Sequence, residues 1–246
     1  MMKDTYNPEQ LADFEHTADN EFSLPAGVVA GIEITLLTVV SIAIHYLING
    51  TTNLLFILLS LFLSINLLIC LWEICLYLRR DYIEKRHDYF KKRREITGRD
   101  PGVDILLAPV TRKSVFSPTF WSDIWSTYSL YDGSYADRKT YGFTIDTGNG
   151  FATFIPSLIL HFGMTVPVFP PMFIGILGIM MFWQWTYCTS LYWASFFIAG
   201  RHKLISKKDM FVYIWGTNAP WVMFSILGLY ASVRIVLDNS YAVFLN

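Results

Sequence analysis

The sequence predicts an all-α, polytopic membrane protein with five transmembrane helices in a bundle, and three observations carry that prediction. Of the 246 residues, 53% are hydrophobic and only 16% are charged, with a mean hydropathy of +0.38, outside the range of an ordinary soluble domain. Five apolar runs each approach the roughly 20 residues that a helix needs to cross a hydrocarbon core. The charges are gathered between those runs rather than mixed into them, as expected when the runs lie in lipid and the connections in water.

Residues 1–24 form an acidic tail, with Asp4, Glu9, Asp13, Glu15, Asp19 and Glu21 against a single Lys3. No basic stretch precedes the first apolar run, so that run is expected to be a membrane helix rather than a cleaved signal peptide. Residues 25–78 read as a transmembrane hairpin. Pro25 suits a first helical position, the run extends to Ile48, and Asn49-Gly50-Thr51-Thr52 is a turn short enough to force an antiparallel partner from Asn53 to Leu78. Residues 79–140 form a basic and aromatic loop, with eight basic residues between Arg79 and Arg94 and the aromatic stretch FSPTFWSDIWSTYSLYDGSY behind them. Positive residues beside spans stay in the cytoplasm, so this loop and the N-terminus are expected there, with the aromatic stretch lying as a belt along the interface. Residues 141–237 hold the last three spans, from Tyr141 to Phe162, from Met172 to Ala199 and from Met210 to Leu237. The basic cluster Arg201-His202-Lys203 agrees with the first about sidedness. Residues 238–246 are a short tail. A multi-pass protein of this kind belongs in the endoplasmic reticulum or another internal membrane of a eukaryote, or in a bacterial inner membrane.

Polar residues at membrane depth are expensive, so each is a candidate for function. Glu73, in LLICLWEICLYL, lies six and seven residues before Arg79 and Arg80, roughly 9–10 Å deeper along the helix axis. Asn66, Glu73 and Arg80 recur every seven residues, a polar stripe on an apolar helix. In the next span Asp146, Asn149, Thr153 and Ser157 follow at steps of three, four and four, which places them on one helix face. Two plainer readings stand beside the functional one: Asp146 as a helix-start acid, and Glu73 as an interhelical hydrogen-bonding residue. The fourth and fifth spans are crowded with rings, including Trp183, Trp185, Tyr187, Tyr192 and Trp193, then Tyr213, Trp215 and Trp221. Pro220 beside Asn218 loosens the backbone hydrogen bonds there. Two carboxyls in an aromatic pocket suit a flat apolar ligand or a carbocation. Gly148 and Gly150 read as points of close helix approach. His45 and His161 are expected at the outer interface.

Other chemistries find no support. The formal charge of −1 gives no reason to expect nucleic acid, and there is no HExxH, no phosphate-binding glycine loop, no GxSxG and no CxxC. Cys70, Cys75 and Cys188 all fall in apolar runs at no metal or disulfide spacing. No cofactor and no metal site are expected.

Trp72-Glu73, Asp132-Gly133-Ser134-Tyr135 leading into Asp146, Thr147 and Asn149, the stretch from Tyr187 to Tyr192, and Asn218-Ala219-Pro220-Trp221 together resemble the EXPERA-like superfamily, which contains the emopamil-binding sterol isomerases. The resemblance spans residues 60 to 236. It implies a five-helix membrane fold in which Glu73, Asp146, Thr147 and Asn218 surround a sterol amine or carbocation. Ile69 stands one turn before Glu73, where the isomerases carry a histidine.

The candidate catalytic residues are thus Glu73 and Asp146, and the candidate ligand-binding residues Thr147, Asn149, Tyr187, Tyr192, Asn218 and Trp221. The expected function is binding of a sterol-like or isoprenoid lipid in an intramembrane pocket, with C=C double-bond isomerisation as the chemistry of an enzyme. A non-catalytic lipid receptor or transporter, and a structural subunit of a larger membrane assembly, remain alternatives. The expected partners are the hydrophobic ligand and the membrane, with a homodimer or larger assembly left open.

Overall fold

A computed structural model describes residues 22–245; the acidic tail expected at the N-terminus lies almost wholly outside the described residues. The chain is an all-α bundle of membrane-spanning helices with a cap of shorter helices at its charged end. The elements are β1 (Ser23–Pro25), α1 (Ala26–Asn49), α2 (Leu54–Leu78), α3 (Arg80–Thr97), α4 (Pro101–Leu107), β2 (Pro109–Thr111), α5 (Pro118–Tyr128), α6 (Tyr141–Thr165), α7 (Pro171–Ile198) and α8 (Lys207–Asp238). Single 3₁₀ turns at Gly133–Ala136, Arg201–Lys203 and Ala242–Phe244 join or end them.

The turn between α1 and α2 forms as its residues require. Gly50 adopts φ 72° and returns its N–H to the Tyr46 carbonyl, a conformation that costs glycine little. Asn53 caps α2 by accepting the Phe56 N–H at 3.0 Å, and its amide also donates to the Val243 carbonyl at 2.9 Å. The C-terminal segment therefore folds back over the hairpin rather than trailing as a tail. Phe244 is fully buried against Phe56 and His45. His45 is correspondingly buried and stacked on Phe56 at 3.8 Å, not interfacial.

Among the described residues four helices are long and apolar enough to cross a membrane: α1, α2, α7 and α8. The expected count of five is corrected at α6. At 25 residues it has the length, but Thr144, Asp146, Thr147, Asn149, Thr153 and Ser157 lower its hydropathy. It remains in the bundle because Thr153 and Ser157 turn inward against α2, while Thr144 stays exposed. Helix α2 begins and α8 ends within a residue of expectation, whereas Pro25 belongs to β1, which pairs antiparallel with β2 through Leu24 and Val110.

The largest correction lies in residues 79–140. Instead of a loop, this segment folds into α3, α4 and α5, whose side chains pack under the bundle. Ser117-Pro118 starts α5 with a side-chain cap, and Phe120, Trp121, Ser122, Asp123, Trp125, Ser126 and Thr127 are all buried. Aromatic content signalled burial in protein as much as affinity for an interface.

Asp100, at the start of α4, ties this cap to the base of α8. It accepts the Tyr131 hydroxyl, the Tyr213 hydroxyl at 2.6 Å and the Gly102 N–H at 2.9 Å, while the two tyrosine rings stack at 3.6 Å. Burial pushes the Asp100 carboxyl up, but the bonds from Tyr131 and Tyr213 outweigh it and hold the group below its usual value. A carboxyl depressed on folding adds stability that is present above the unfolded value and lost as pH falls through the folded one. Asp100→Asn is therefore expected to lower the melting temperature at neutral pH, and the gap from the native protein should close below about pH 3.9. Melting curves of both proteins across that range check this; a gap independent of pH would contradict the clamp.

Candidate functional site

The polar stripes of α2 and α6 meet along a line of direct contacts. Asn66 donates to Ser157 Oγ at 3.0 Å, Cys70 Sγ lies 3.4 Å from Thr153 Oγ1, and Asn149 and Glu73 share one cavity wall. These pairings need the two backbones to come close, and Gly150 allows it. A Cβ at that position would sit 2.8 Å from Glu73 Cβ and 2.9 Å from the Ile74 nitrogen. Gly148 has no such neighbour and faces open space, so only one of the two expected glycine contacts exists.

Above this seam α2, α5, α6, α7 and α8 enclose a cavity of about 170 Å³. Glu73, Asp146 and Asn218 all line it, together with Asn149, Trp221 and Trp125. The three polar residues expected to share a chamber therefore do. Glu73 is 6% exposed, and the two carboxyls lie close enough to feel each other's charge.

Each polar group is held by a specific neighbour. Tyr135, from the 3₁₀ turn before α6, donates its hydroxyl to Asp146 Oδ2 at 2.5 Å. Burial, and after it the negative charge of Asp146, push the Tyr135 phenol far above its ordinary value, so it remains a proton donor to that oxygen. Gln184 of α7 donates to Asn149 Oδ1 at 2.6 Å. Trp221 donates its indole N–H to Asn66 Oδ1 at 3.0 Å, which sets the ring against the cavity wall.

The start of α8 is locally underwound. Residues Met210–Gly216 form a π-helical stretch ahead of Pro220, a distortion that frees carbonyls and recurs at functional sites. In a dry interior those carbonyls need new donors. The Tyr213 carbonyl takes the Tyr128 hydroxyl at 2.8 Å and the Thr217 hydroxyl, and the Ile214 carbonyl takes the Asn218 amide at 2.9 Å and the Trp193 indole at 3.2 Å. Asn218 also donates to the Tyr128 hydroxyl at 3.1 Å. Burial pushes the Tyr128 phenol up to about 12. Asn218 is thus oriented at the cavity edge by the distortion that Pro220 imposes.

The chain was searched against protein-family models, curated proteins and solved structures. None matches it.

The geometry of the site redistributes the expected ligand-binding residues. Asn149, Asn218 and Trp221 face the cavity. Tyr192 lines only a smaller adjoining space of about 20 Å³ and donates to Asp132 Oδ2 at 2.9 Å. Asp132 is fully buried, with Arg201 Nε 3.6 Å from its other oxygen. Thr147 is corrected: its hydroxyl bonds to the Phe143 and Thr144 carbonyls of its own helix, and it does not line the cavity. Tyr187 is corrected too. It is 51% exposed and stacks on Trp183 along the outside of the bundle, because its position on α7 is a full face away from Tyr192.

The residues that sequence reasoning missed come from the cap. Ile124, Trp125 and Tyr128 of α5 roof the cavity, and Trp125 donates to the Trp72 carbonyl at 2.6 Å. The signal was present: Ser117-Pro118 begins a helix, and Trp121, Trp125 and Tyr128 follow at helical steps of four and three. Glu33 of α1 was also overlooked; one of its carboxyl oxygens is buried without a hydrogen-bond partner.

Proposed function

We propose that this membrane protein binds a sterol-like or isoprenoid lipid in the cavity beneath α5 and that it moves a C=C double bond within that ligand. The single observation that carries the reading is the convergence of two acids, Glu73 and Asp146, and the amide of Asn218 in one ring-walled chamber. Acids at membrane depth are costly unless a partner or a guest uses them. The resemblance to the emopamil-binding isomerases points the same way.

The size of the chamber bears on how a ligand would sit. At about 170 Å³ it is smaller than the roughly 300–1,000 Å³ of sites that enclose a whole drug-sized molecule, so it takes one end of an elongated lipid. The partly exposed lining residues Ile69 and Trp72 of α2 and Thr217 and Trp221 of α8 mark the side through which the remainder extends into hydrocarbon.

In the proposed reaction Glu73, protonated, gives its proton to one alkene carbon, and the electron pair of the double bond forms the new C–H bond. The cation left on the neighbouring carbon lies against the rings of Trp221 and Trp125. Asp146 takes a proton from the next carbon, whose C–H electrons form the new double bond. The assignment of acid and base follows from Tyr135, which donates to Asp146 Oδ2 and so favours that group as a carboxylate. The basic load of α3 supports a cytoplasmic position for the charged end and the N-terminus.

Purified protein incubated with a Δ8 sterol is the direct test. Product is expected from the native protein, and Glu73→Gln is expected to lower its formation by about 10²–10⁴-fold, the range of a lost general acid. Turnover that survives the substitution would sink the acid assignment. Ile69 in the cavity wall, where the isomerases place histidine, favours the second reading, a receptor or transporter. Sterol retained without any product would establish that reading instead.

A further inference from the structure

A second cavity of about 170 Å³ lies in the cap, between α3, α4 and α5, away from the acids of the first. Arg86 of α3 forms one side. It is 6% exposed, and its Nε and Nη2 donate to Asp123 of α5 at 3.2 and 3.3 Å. Its guanidinium carbon lies 4.1 Å from the centre of the Tyr89 ring and 4.8 Å from that of Phe90. With pairing below and rings around it, the group is rigidly placed, yet its Nη1 is buried without a hydrogen-bond partner. A guanidinium donor left unmatched in this way is costly.

The opposite wall carries the complementary defect. Asp104 Oδ2 of α4 faces Arg93 Nε at 3.3 Å as an ion pair whose alignment falls short of a hydrogen bond, so this buried oxygen is matched in charge but accepts no hydrogen bond. The cavity therefore presents one donor without a hydrogen bond, Arg86 Nη1, and one carboxylate oxygen held only by an ion pair and able to accept a hydrogen bond, while its two arginines and two aspartates balance in charge. Among lipid headgroups, one that is neutral overall and carries an anionic and a cationic end serves both atoms without upsetting that balance.

The mouth says where such an occupant comes from. Leu107 forms part of the wall and is 66% exposed, and neighbouring Leu106 packs against Gly27 at the start of α1. The polar interior thus opens onto an apolar lip beside the first spanning helix, the boundary between headgroups and acyl chains.

We infer that the cavity between α3, α4 and α5 binds the zwitterionic headgroup of a phosphoethanolamine lipid. The phosphate accepts from Arg86 Nη1, the ammonium donates to Asp104 Oδ2, and the acyl chains leave over Leu107 and Leu106. Arginine is well matched to phosphate oxygens. A choline headgroup has no N–H for Asp104, and a glycerol headgroup leaves the phosphate charge unbalanced.

The full chain in mild detergent, offered equal amounts of phosphatidylethanolamine, phosphatidylcholine and phosphatidylglycerol, tests this by native mass spectrometry. One phosphatidylethanolamine is expected to stay bound at about tenfold preference, the worth of one charge-assisted hydrogen bond. Asp104→Asn should erase the preference over phosphatidylcholine. Because removing Arg86 would strand Asp123 and unfold the cap, Ala108→Trp, which fills the cavity from its wall and leaves every charge in place, should abolish retention with the melting temperature unchanged. Equal retention of the three lipids, or retention undiminished in a folded Ala108→Trp protein, would overturn the assignment, as would a cavity that holds water alone. Displacement by soluble glycerophosphoethanolamine would overturn the membrane lipid as its source.

Discussion

Replacing Gly150 with leucine is expected to destabilise the protein by about 3 kcal/mol, at the upper end of what overpacking costs, and to abolish retention of a sterol ligand with it. The added Cβ would stand 2.8 Å from Glu73 Cβ and 2.9 Å from the backbone nitrogen of Ile74. Neither neighbour is the end of a flexible side chain, so α2 and α6 would have to separate. Separation breaks the Asn66–Ser157 and Cys70–Thr153 contacts, each worth only about 0.6 kcal/mol. Its greater effect is to pull Glu73 away from Asn149 and out of register with Asp146. Gly148→Leu is the matched control. It lies two residues away with nothing in contact and adds a better helix former. Melting temperatures in detergent and retained sterol should both fall for the first variant and hold for the second. Equal behaviour of the two would mean that the α2–α6 seam does not organise the site.

The second large effect concerns the acids themselves. On the proposed mechanism Glu73→Gln and Asp146→Asn each remove about 10²–10⁴-fold of product formation, and the double variant should be scarcely worse than the worse single one. Groups that act as one unit lose their joint contribution when either is removed. Losses that multiply would show two independent roles and would contradict the shared cavity. Retention of a protonated aminosterol gives a readout that does not need turnover. It depends on a carboxylate beside the ammonium, so the double variant should release it while still binding a neutral sterol. Tyr135→Phe ought to act on the same step, since it removes the bond that fixes Asp146 Oδ2 and keeps the ring in the cavity wall.

Much of the seam between α2 and α6 was legible in the sequence. The steps of seven in one helix and of three and four in the next placed Asn66 and Glu73 on one stripe and Asp146, Asn149, Thr153 and Ser157 on another, because side-chain direction in a helix follows directly from residue spacing; that the two stripes meet came from the packing. The asparagine beside Pro220 was legible for a similar reason: a proline in a span must disturb the backbone, and a nearby polar residue answers the freed carbonyls. Tyr187 misled because an aromatic side chain suits both lipid and protein, so its chemistry does not say which way it faces. Gly148 and Gly150 are indistinguishable by type and differ only in what lies opposite.

The helical class, the apolar spans and the polar stripe on each of α2 and α6 were determined by the sequence alone, since hydrocarbon tolerates so few arrangements of polar groups that their spacing is nearly decisive. Tertiary structure alone decided that residues 79–140 fold into a roof, that α5 contributes Trp125 and Tyr128 to the cavity, and that a second chamber with an unmatched arginine lies behind it. Those outcomes depend on contacts between segments far apart in the chain, in a region where water and protein can both satisfy polar groups and the local pattern therefore leaves several placements open.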